Sequence, residues 1–469
     1  MNYKSYFTIL LLGLSMTFSG QEKALKLSLQ EAIDYALKNS YNTKAAANDI
    51  ASAEKRVWET TTIGLPQINA NVDYQYFIKQ PVSLLPAAAF DNTSSVVQTV
   101  EQYFNLQANS QPTVPEGFIP VVFGTKQNMN ASVTLTQLLF DGSYLVGLQS
   151  ARTFLKISEQ ANEKTELITR EAVINAYGNV LVTESSISIL QKNMKVLEKN
   201  LNDAKKIYEN GLNEEEDVEQ LEITLGNVKA QLNNVKRFKE IAYQMLNLAL
   251  GSKINTQLVL TDDLDSLTGK NIDLNILSTA FNVNNHIDFR IAENDKESKR
   301  LLMRYEQSQA LPRLSAFINY GTQAFSEDFN FFSGNQRWFQ QSLLGVSLNV
   351  PIFSSMGRSA KTAQAKIAFE TADLRLEETK QRLSLQAQKA KSDYQLSIEN
   401  YQTNKKNLAL AERIENKQRI KFFEGLSTSF ELSQAQNQLY TQQQNYIQSM
   451  LDVIAKKATL ENALNIPLK

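Results

Sequence analysis

The sequence contains no cysteine and only one histidine, His286, among its 469 residues. Disulfides, thiol chemistry and metal sites built from Cys and His are therefore excluded, and a catalytic triad would depend on His286 alone, which is most simply a surface or helix-start residue. Lysine plus arginine, at 48, does not exceed aspartate plus glutamate, at 49, so no basic excess favours nucleic acid as a partner. With 9 prolines and 17 glycines, the composition suits long uninterrupted helices.

Long apolar runs are scarce, and the one candidate lies at the N-terminus. Residues 1–20 combine Lys4, an apolar run from Tyr6 to about Leu14 and the small pair Ser19-Gly20, which predicts a secretory signal peptide. A membrane anchor is the alternative, although this run is short for a bilayer span. No later stretch approaches the roughly 18 apolar residues of a transmembrane helix. An exported chain of this kind that crosses a membrane would have to do so as a β-barrel.

The two halves of the chain repeat one another. Matching stretches are "ASVTLTQLLFDGSYLVG" (131–147) with "LGVSLNVPIFSSMGRSA" (344–360), and "IYENGLNEEEDVEQLEITL" (207–225) with "KFFEGLSTSFELSQAQNQL" (421–439). Phe140 and Phe353 are 213 residues apart (353 − 140), whereas Pro66 and Pro312 are 246 apart (312 − 66). The pattern therefore predicts an internal duplication in which the first half has a longer loop between its two strands.

This duplication gives a predicted domain organisation. It consists of a signal peptide (1–20), a first repeat (21–250) with a helix (27–62), strands (66–78 and 128–139), a long surface loop (79–127) and a helical hairpin (144–250), a linker (251–274), and a second repeat (275–469) with strands (313–321 and 342–353) and a helical hairpin (357–465).

Strands in both halves alternate apolar and polar residues. In the first strand, Ile68, Val72 and Tyr74 face one way, while Asn69 and Asp73 face the other. A soluble sheet with one core face and one wet face would give the same alternation. The polar faces carry almost no Lys or Glu and aromatics flank the strands, which favours an outer-membrane barrel. Since the smallest bacterial barrels have about eight strands, several chains would have to contribute to one barrel.

Each half continues into a long helical hairpin. Residues 144–209 show a helical pattern without proline, which at about 1.5 Å per residue would form a rod of about 100 Å. Apolar residues alternate in steps of three and four, as in a coiled-coil seam, at Ile187, Leu190, Met194, Leu197, Leu201, Ala204 and Tyr208, and in the return helix at Leu221, Leu225, Val228, Leu232 and Val235. A filamentous tether would show the same heptads, but it would leave the strands unexplained.

Together, the signal peptide, the duplication, the strand-to-helix junctions and the tip motif "GL(S/T)xxxxLxxAQxxL" resemble the TolC-type outer-membrane efflux family, over about residues 27–467. The second tip, "FFEGLSTSFELSQAQNQLY", matches most closely. The resemblance implies an α+β membrane protein, a homotrimer in which four transmembrane β-strands per chain join a twelve-stranded β-barrel. Long antiparallel coiled-coil helices would continue this barrel as a periplasmic α-barrel, and the linker 251–274 would lie in its equatorial belt.

The resemblance also implies a docking site for a periplasmic adaptor at the hairpin tips, at Gly211, Leu212, Gly425, Leu426 and Ser427. A helical hairpin requires glycine for its turn in any case, so the turn and the docking interpretations both remain open for the two glycines.

A gate is implied at the same tips, where acidic rings constrict related channels and favour cations. Glu431 and Asp217 lie six residues beyond Gly425 and Gly211, and Glu431 occupies the family's gate position. Gln434 stands where a second gate acid would be, so one ring of three carboxylates would replace two. Acidic residues at a helix start also complement the positive end of the helix dipole, which is the alternative interpretation.

The expected function is that of a trimeric exit duct in the cell outer membrane, with its helical part in the periplasm. It would passively conduct small molecules from an inner-membrane transporter and a periplasmic adaptor to the exterior. The expected partners are further copies of the chain, the adaptor, the transporter and outer-membrane lipid. No cofactor, metal, nucleic acid or catalytic residue is expected, so the protein is not predicted to be an enzyme. The duct of a type I protein secretion system and a secreted tether without a pore are the alternatives.

Overall fold

The structure, a computed structural model, describes residues 25–90, 92–105, 116–211 and 214–466. The predicted signal peptide, residues 1–20, lies outside this range. None of the helices in the described ranges is both long enough and apolar enough to cross a membrane. The chain divides into two compact units. The first comprises the described residues up to 57, 149–303 and those from 363 onward, and the second comprises 58–148 and 304–362, so each unit draws on both halves of the sequence.

Helices dominate the described chain. They are α1 (Leu29–Asn39), α2 (Tyr41–Thr62), α3 (Thr93–Phe104), α4 (Gly142–Glu209), α5 (Glu215–Leu250), α6 (Leu264–Asn271), α7 (Asn275–Ser278), α8 (Ile287–Ser308), α9 (Gly357–Phe423) and α10 (Ser429–Ala463). The strands are β1 (Leu25–Leu27), β2 (Gln67–Tyr76), β3 (Val82–Pro86), β4 (Phe118–Val122), β5 (Gln127–Asp141), β6 (Leu258–Leu260), β7 (Arg313–Ser326) and β8 (Trp338–Asn349).

The second unit is built on a four-stranded antiparallel sheet with the order β2-β5-β7-β8. Its register aligns apolar side chains across all four strands, since Ile68 pairs with Leu135, Leu135 with Ile318, and Ile318 with Leu344. The opposite face is rich in Asn, Gln, Ser and Thr. The apolar face is largely exposed, with Ile68, Val72, Ile318, Leu344 and Val346 all open to the surroundings. Within the described residues, β2 and β8 each have a single partner strand in this sheet.

A β-bulge at the end of β5 changes which residues share the apolar face. The pairing with β7 shifts between Leu138 and Phe140, so Phe140 lies opposite Leu314. Without this extra residue, Phe140 would point to the polar face, because strand side chains alternate with a period of two. The bulge therefore puts Phe140, in place of Leu139, opposite Leu314 on the apolar face at the point where α4 begins.

The predicted surface loop 79–127 carries secondary structure of its own. Strands β3 and β4 pair with one another, from Val82 with Val122 to Pro86 with Phe118. They continue the β2–β5 hairpin, since the Phe77 N–H donates to the Lys126 carbonyl at 2.8 Å between the two ladders. Helix α3 and a short 3₁₀ helix, Ala87–Phe90, follow β3. Residues 106–115, which connect α3 to β4, lie outside the described residues.

Several element boundaries differ from those predicted. The predicted helix 27–62 is two helices, because the extended backbone of Ser40 ends α1 and its hydroxyl accepts the Thr43 N–H at 3.2 Å. A capping box between Ser28 and Glu31 starts α1 after β1. The predicted strand 342–353 instead spans Trp338–Asn349, ending just before Pro351, which has no N–H to donate to a ladder. The predicted strand 313–321 continues to Ser326.

The predicted linker 251–274 also contains regular structure. Its strand β6 pairs in parallel with β1, and α6 follows after three intervening residues. Buried tyrosines hold the linker at two places. The single hydrogen of the Tyr177 hydroxyl is shared between the Leu27 carbonyl and Asp262 Oδ2, each 3.1 Å from the hydroxyl oxygen, and the Tyr394 hydroxyl donates to the Asn271 carbonyl at 2.6 Å. The linker is therefore fixed to α4 and α9 by hydrogen bonds as well as by apolar packing.

The helical hairpins of the first unit pack along the apolar seams. Leu190, Leu197, Val228 and Leu232 are buried together, with Ile187, Met194, Leu225 and Val235 packed against them. Tyr208, the last residue of the predicted α4 seam, is instead exposed, so the seam does not extend to the end of the helix.

Candidate functional site

The candidate site is formed where α4 and α9 end and α5 and α10 begin. Ala204, Val218, Leu221, Phe422 and Leu432, drawn from all four helices, form one buried apolar cluster at this end. Because this cluster lies next to both turns, it fixes the helix ends that carry the predicted docking and gate residues.

Both turns use glycine in the left-handed region, with φ of +71° at Gly211 and +72° at Gly425. After α9, the Gly425 N–H donates to the Phe422 carbonyl at 3.1 Å and the Leu426 N–H to the Lys421 carbonyl at 2.8 Å. These two bonds satisfy carbonyls at the helix end, as in a Schellman motif. Leu426 is 77% exposed, which leaves a large apolar side chain at the tip without a protein contact to explain it. Leu212, a predicted docking residue, lies outside the described residues.

Glu431 is exposed and is held by the start of its own helix. Its Oε2 accepts the Ser427 hydroxyl at 2.5 Å and the Thr428 N–H at 3.3 Å, while its N–H donates to the Thr428 hydroxyl at 3.3 Å. The hydroxyl of Ser427 is the main cause that lowers the pKa of Glu431 below its ordinary value, followed by the Thr428 N–H, with Lys421 adding to the effect. Glu431 therefore stays ionised to a lower pH than an ordinary glutamate, and Ser427 acts as a helix-start residue as well as a predicted docking residue.

Asp217 occupies a different environment from Glu431. It is half-buried in the first turn of α5, and its Oδ1 accepts the N–H of Ser429, the first residue of α10, at 3.1 Å. One carboxylate thus contributes to the starts of two return helices, because helix N-termini carry unpaired N–H groups and favour negative charge. Gln434, one turn beyond Glu431, is exposed.

A polar ladder continues from Asp217 along the α5–α10 contact. Gln220 donates to the Ser433 hydroxyl at 3.3 Å, and the Thr224 and Ser433 hydroxyls lie 3.2 Å apart. These residues were not identified from the sequence, and neither was the capping role of Thr428. The pattern Thr428-x-x-Glu431 was a usable signal for the capping box. No local pattern indicates the contact between Asp217 and Ser429, which are 212 residues apart.

His286 lies at the start of α8, where its Nδ1 accepts the Asp288 N–H at 3.1 Å. It is buried, and burial lowers its pKa below the ordinary value. It therefore caps a helix and is not a surface residue. Among the described residues, no group of His, Asp and Glu is arranged to hold a metal ion.

The profile of the outer membrane efflux protein family matches residues 32–252 and 283–465, which cover both helical hairpins and the four-stranded sheet. The chain belongs to the outer membrane efflux protein family. The predicted resemblance is confirmed. No sequence among the curated proteins matches the chain significantly.

Solved structures of outer-membrane channels share this fold. The outer membrane protein VceC of Vibrio cholerae is 16% identical, with 93% of this chain and 95% of that chain covered and a TM-score of 0.66. For the CmeC outer membrane channel of Campylobacter jejuni the identity is 15%, the coverage 93% and 85%, and the TM-score 0.68. The open state of the MtrE outer membrane channel of Neisseria gonorrhoeae is 17% identical, with 93% of this chain and 88% of that chain covered and a TM-score of 0.66. At these identities the similarity establishes the efflux protein fold.

Proposed function

We propose that this outer membrane efflux protein is one protomer of a trimeric outer-membrane duct through which small molecules leave the periplasm. The observation that carries the proposal is the exposed apolar face of the β2-β5-β7-β8 sheet, whose outer strands have single partners among the described residues. An apolar face this broad is unstable in water but suited to lipid. Lipid in turn requires every strand edge to be paired, so the sheet must be closed by further copies.

Three copies would supply twelve strands, since each chain contributes four. Two copies would supply eight, which also closes the smallest barrels. The trimer is favoured by the family, and the mass of the extracted assembly distinguishes the two. The twofold plan of the chain supports this closed arrangement, because α4 and α9 have 68 and 67 residues while α5 and α10 have 36 and 35. The wall of the helical part would then consist of six similar hairpins.

The efflux role would require an adaptor at the tips, to which an inner-membrane transporter delivers its substrate. Gly211, Leu212, Gly425, Leu426 and Ser427 are the proposed docking residues. The exposed Leu426 and Phe430 support this assignment, because large apolar side chains displayed beside a rigid turn suit an apolar pocket on a partner. A protein secretion system could use the same tip, and the transporter encoded with the duct distinguishes the two roles.

The gate is proposed at Glu431, where three protomers would place three carboxylates in a ring. Glu431 supports this role because it is exposed and its lowered pKa favours a permanent charge. Asp217 is engaged with the Ser429 N–H, so we assign it a supporting role at the helix starts. Gln434, one helical turn beyond Glu431, would contribute an uncharged side chain to the neighbouring ring of the pore. A ring of fixed carboxylates favours cations over anions in a narrow pore.

Single-channel conductance in planar bilayers tests the duct and the gate together. Wild-type protein extracted from the outer membrane should give steady, cation-selective currents. Glu431→Gln should lower the selectivity while keeping a side chain that can complete the capping box. Glu431→Ala should also raise the current, because it removes the side chain from the constriction. Thr428→Val is the matched control, since it removes the capping hydroxyl but leaves the carboxylate in place.

The outcomes separate the two parts of the proposal. Unchanged selectivity in both Glu431 variants would retain the duct and eliminate this gate. An equal loss of selectivity in Thr428→Val would assign the effect to helix capping. Folded, membrane-extracted protein without any current would eliminate the duct and favour the tether.

A further inference from the structure

The connection between β8 and α9 displays apolar side chains outward. We call residues 351–356 the junction knuckle. Within it, Ile352 is 89% exposed, Phe353 82% and Met356 71%. These are among the most exposed apolar residues of the described chain, and three of them within five positions form a concentrated apolar surface. Surfaces of this kind usually contact another apolar phase.

The backbone of the junction knuckle is held in a specific shape. Ser355 and Met356 have φ of +47° and +66°, a region that non-glycine residues seldom adopt. The Arg358 guanidinium donates to the carbonyls of Pro351, at 2.7 Å, and Ile352, at 3.3 Å. The Gly357 N–H also donates to the Ser354 carbonyl at 2.9 Å. Strained backbone persists where its surroundings determine it, and here the strain keeps apolar side chains exposed, which points to a role outside the protomer.

The junction knuckle continues the apolar face of the sheet. Leu344, Val346, Leu348 and Val350 alternate along β8 and its end, all exposed, and Ile352 is the next residue of the same row. The twenty residues from Trp338 to Gly357 contain no Asp, Glu, Lys, Arg or His. The first charge after them is that of Arg358. An uncharged apolar row that ends at a basic residue is the pattern of a chain leaving lipid at the headgroup level.

At the other end of the same face, protein covers the sheet. The loop between β7 and β8 places Phe331, which is 2% exposed, against Met129, Ala324 and Trp338. Phe329 and Phe331 also meet the edge of Tyr74, with ring centres 5.5 and 5.9 Å apart. This aromatic cluster marks the loop end of the apolar face, in the position where girdles of aromatic residues flank the apolar band of outer-membrane barrels.

The distance between the two ends matches a lipid layer. Ala324, at the aromatic cluster, and Leu314, at the last row before the junction, are ten residues apart on β7 (324 − 314). Ten residues at about 3.3 Å per residue make about 33 Å along the strand. In a barrel whose strands tilt by about 40° from the axis, this length corresponds to about 25 Å along the axis. The apolar band of an outer-membrane barrel is about 25 Å tall. The junction knuckle therefore lies at the level where the band would end.

We infer that the junction knuckle is a preorganised lipid anchor that inserts Ile352, Phe353 and Met356 into the periplasmic leaflet of the outer membrane, at the boundary between headgroups and acyl chains. This inference rests on the proposed function, which places the sheet in lipid. The anchor fixes the depth of the sheet in the membrane at the point where the strand gives way to the long helix. The corresponding junction in the first half passes directly from β5 to α4, so each chain carries one such anchor within its described residues.

Fluorescence quenching in lipid vesicles tests the anchor. The chain has two tryptophans, Trp58 and Trp338, and replacing both by Phe gives a silent background. Phe353→Trp in this background is reconstituted into phosphatidylcholine vesicles brominated near the headgroup end of the acyl chain or near its middle. Leu344→Trp, in the middle of the apolar face, and Ser347→Trp, on the polar face, are the matched probes. Ile352→Trp replaces Phe353→Trp if the latter fails to assemble.

The anchor predicts that bromine near the headgroup end quenches Phe353→Trp more strongly than mid-chain bromine does. Leu344→Trp should show the opposite order, and neither bromine position should quench Ser347→Trp. Unquenched, water-like emission from Phe353→Trp would overturn the anchor. Unquenched but blue-shifted emission would also overturn it and would show that protein, such as a second copy, covers the knuckle. In both cases quenched Leu344→Trp would leave the proposed function intact, while unquenched Leu344→Trp would remove the membrane duct itself.

Discussion

Replacing Gly425 by alanine separates a turn requirement from a partner requirement at the tip. Gly425 has φ of +72°, and a Cβ built there would have no neighbouring atom within 4 Å. The only cost inside the protomer is the left-handed backbone, about 1–2 kcal/mol per chain for a residue with a side chain. The free energy of unfolding should therefore fall by about that amount, without a change in the fold.

Gly251 provides the matched comparison. It has a similar φ of +75°, but its Cβ would lie 2.3 Å from the Asn39 carbonyl oxygen and 2.6 Å from the Ser40 Cα. Both atoms belong to the backbone at the break between α1 and α2, so they cannot rotate away. Gly251→Ala adds an overpacking cost of about 1–3 kcal/mol to the left-handed cost. We expect a total of about 2–5 kcal/mol, clearly beyond that of Gly425→Ala.

The assay is urea unfolding of detergent-extracted protein, followed by circular dichroism, with the two variants and wild type at one protein concentration. The expected order of midpoints is wild type, then Gly425→Ala, then Gly251→Ala. Equal midpoints for the two variants would refute the reasoning, because the close backbone contact at Gly251 would then add no cost to that of the left-handed conformation. If Gly425→Ala is only mildly destabilised yet no longer binds a purified adaptor that the wild type binds, the docking interpretation of the tip glycine gains support over the turn alone.

Two further substitutions test buried polar groups. Tyr177→Phe removes the hydrogen bonds of the Tyr177 hydroxyl to Leu27 and Asp262 and should lower the free energy of unfolding by about 1–2 kcal/mol, measured by urea titration. No change would mean that this hydroxyl does not stabilise the linker. Burial raises the pKa of Glu415, more than Arg419 lowers it, so the folded chain binds this proton more tightly than the unfolded chain. The free energy of unfolding of the wild type should therefore fall as pH rises above the ordinary glutamate pKa. Urea titrations at acid and at neutral pH should show a smaller fall for Glu415→Gln than for the wild type. An equal fall in both proteins would contradict this role of Glu415.

The elements with a strong local period were predictable from the sequence. Alternation in strands such as β2 depends only on the two-residue period of extended backbone, so Ile68 and Val72 could be placed on one face. The heptad seams of α4 and α5 were equally clear, and Leu190, Leu197, Val228 and Leu232 are buried as their spacing predicts. The turn glycines followed from the need for a left-handed residue after a long helix.

The ends of the helices and strands, and the residues inserted within them, were harder to predict from the sequence. The predicted helix 27–62 concealed a break at Ser40, because serine is tolerated inside helices and its role as a cap depends on the neighbouring backbone. The extra residue of the bulge at Leu139 could not be placed, since it becomes visible only when β5 is paired with β7. The hairpin within 79–127 was hidden for a related reason, because its short strands are apolar on both faces and show no clear alternation.

The sequence by itself determined the order of strands and long helices, since these follow from periodicities that each segment carries alone. The tertiary structure decided what the candidate site residues do. Asp217 accepts an N–H from a helix that starts 212 residues later, and Glu431 is held by Ser427 and Thr428 instead of pointing freely. Such contacts depend on how separate helices are brought together, and a hydrogen bond between distant segments leaves no period in the chain for a sequence pattern to show.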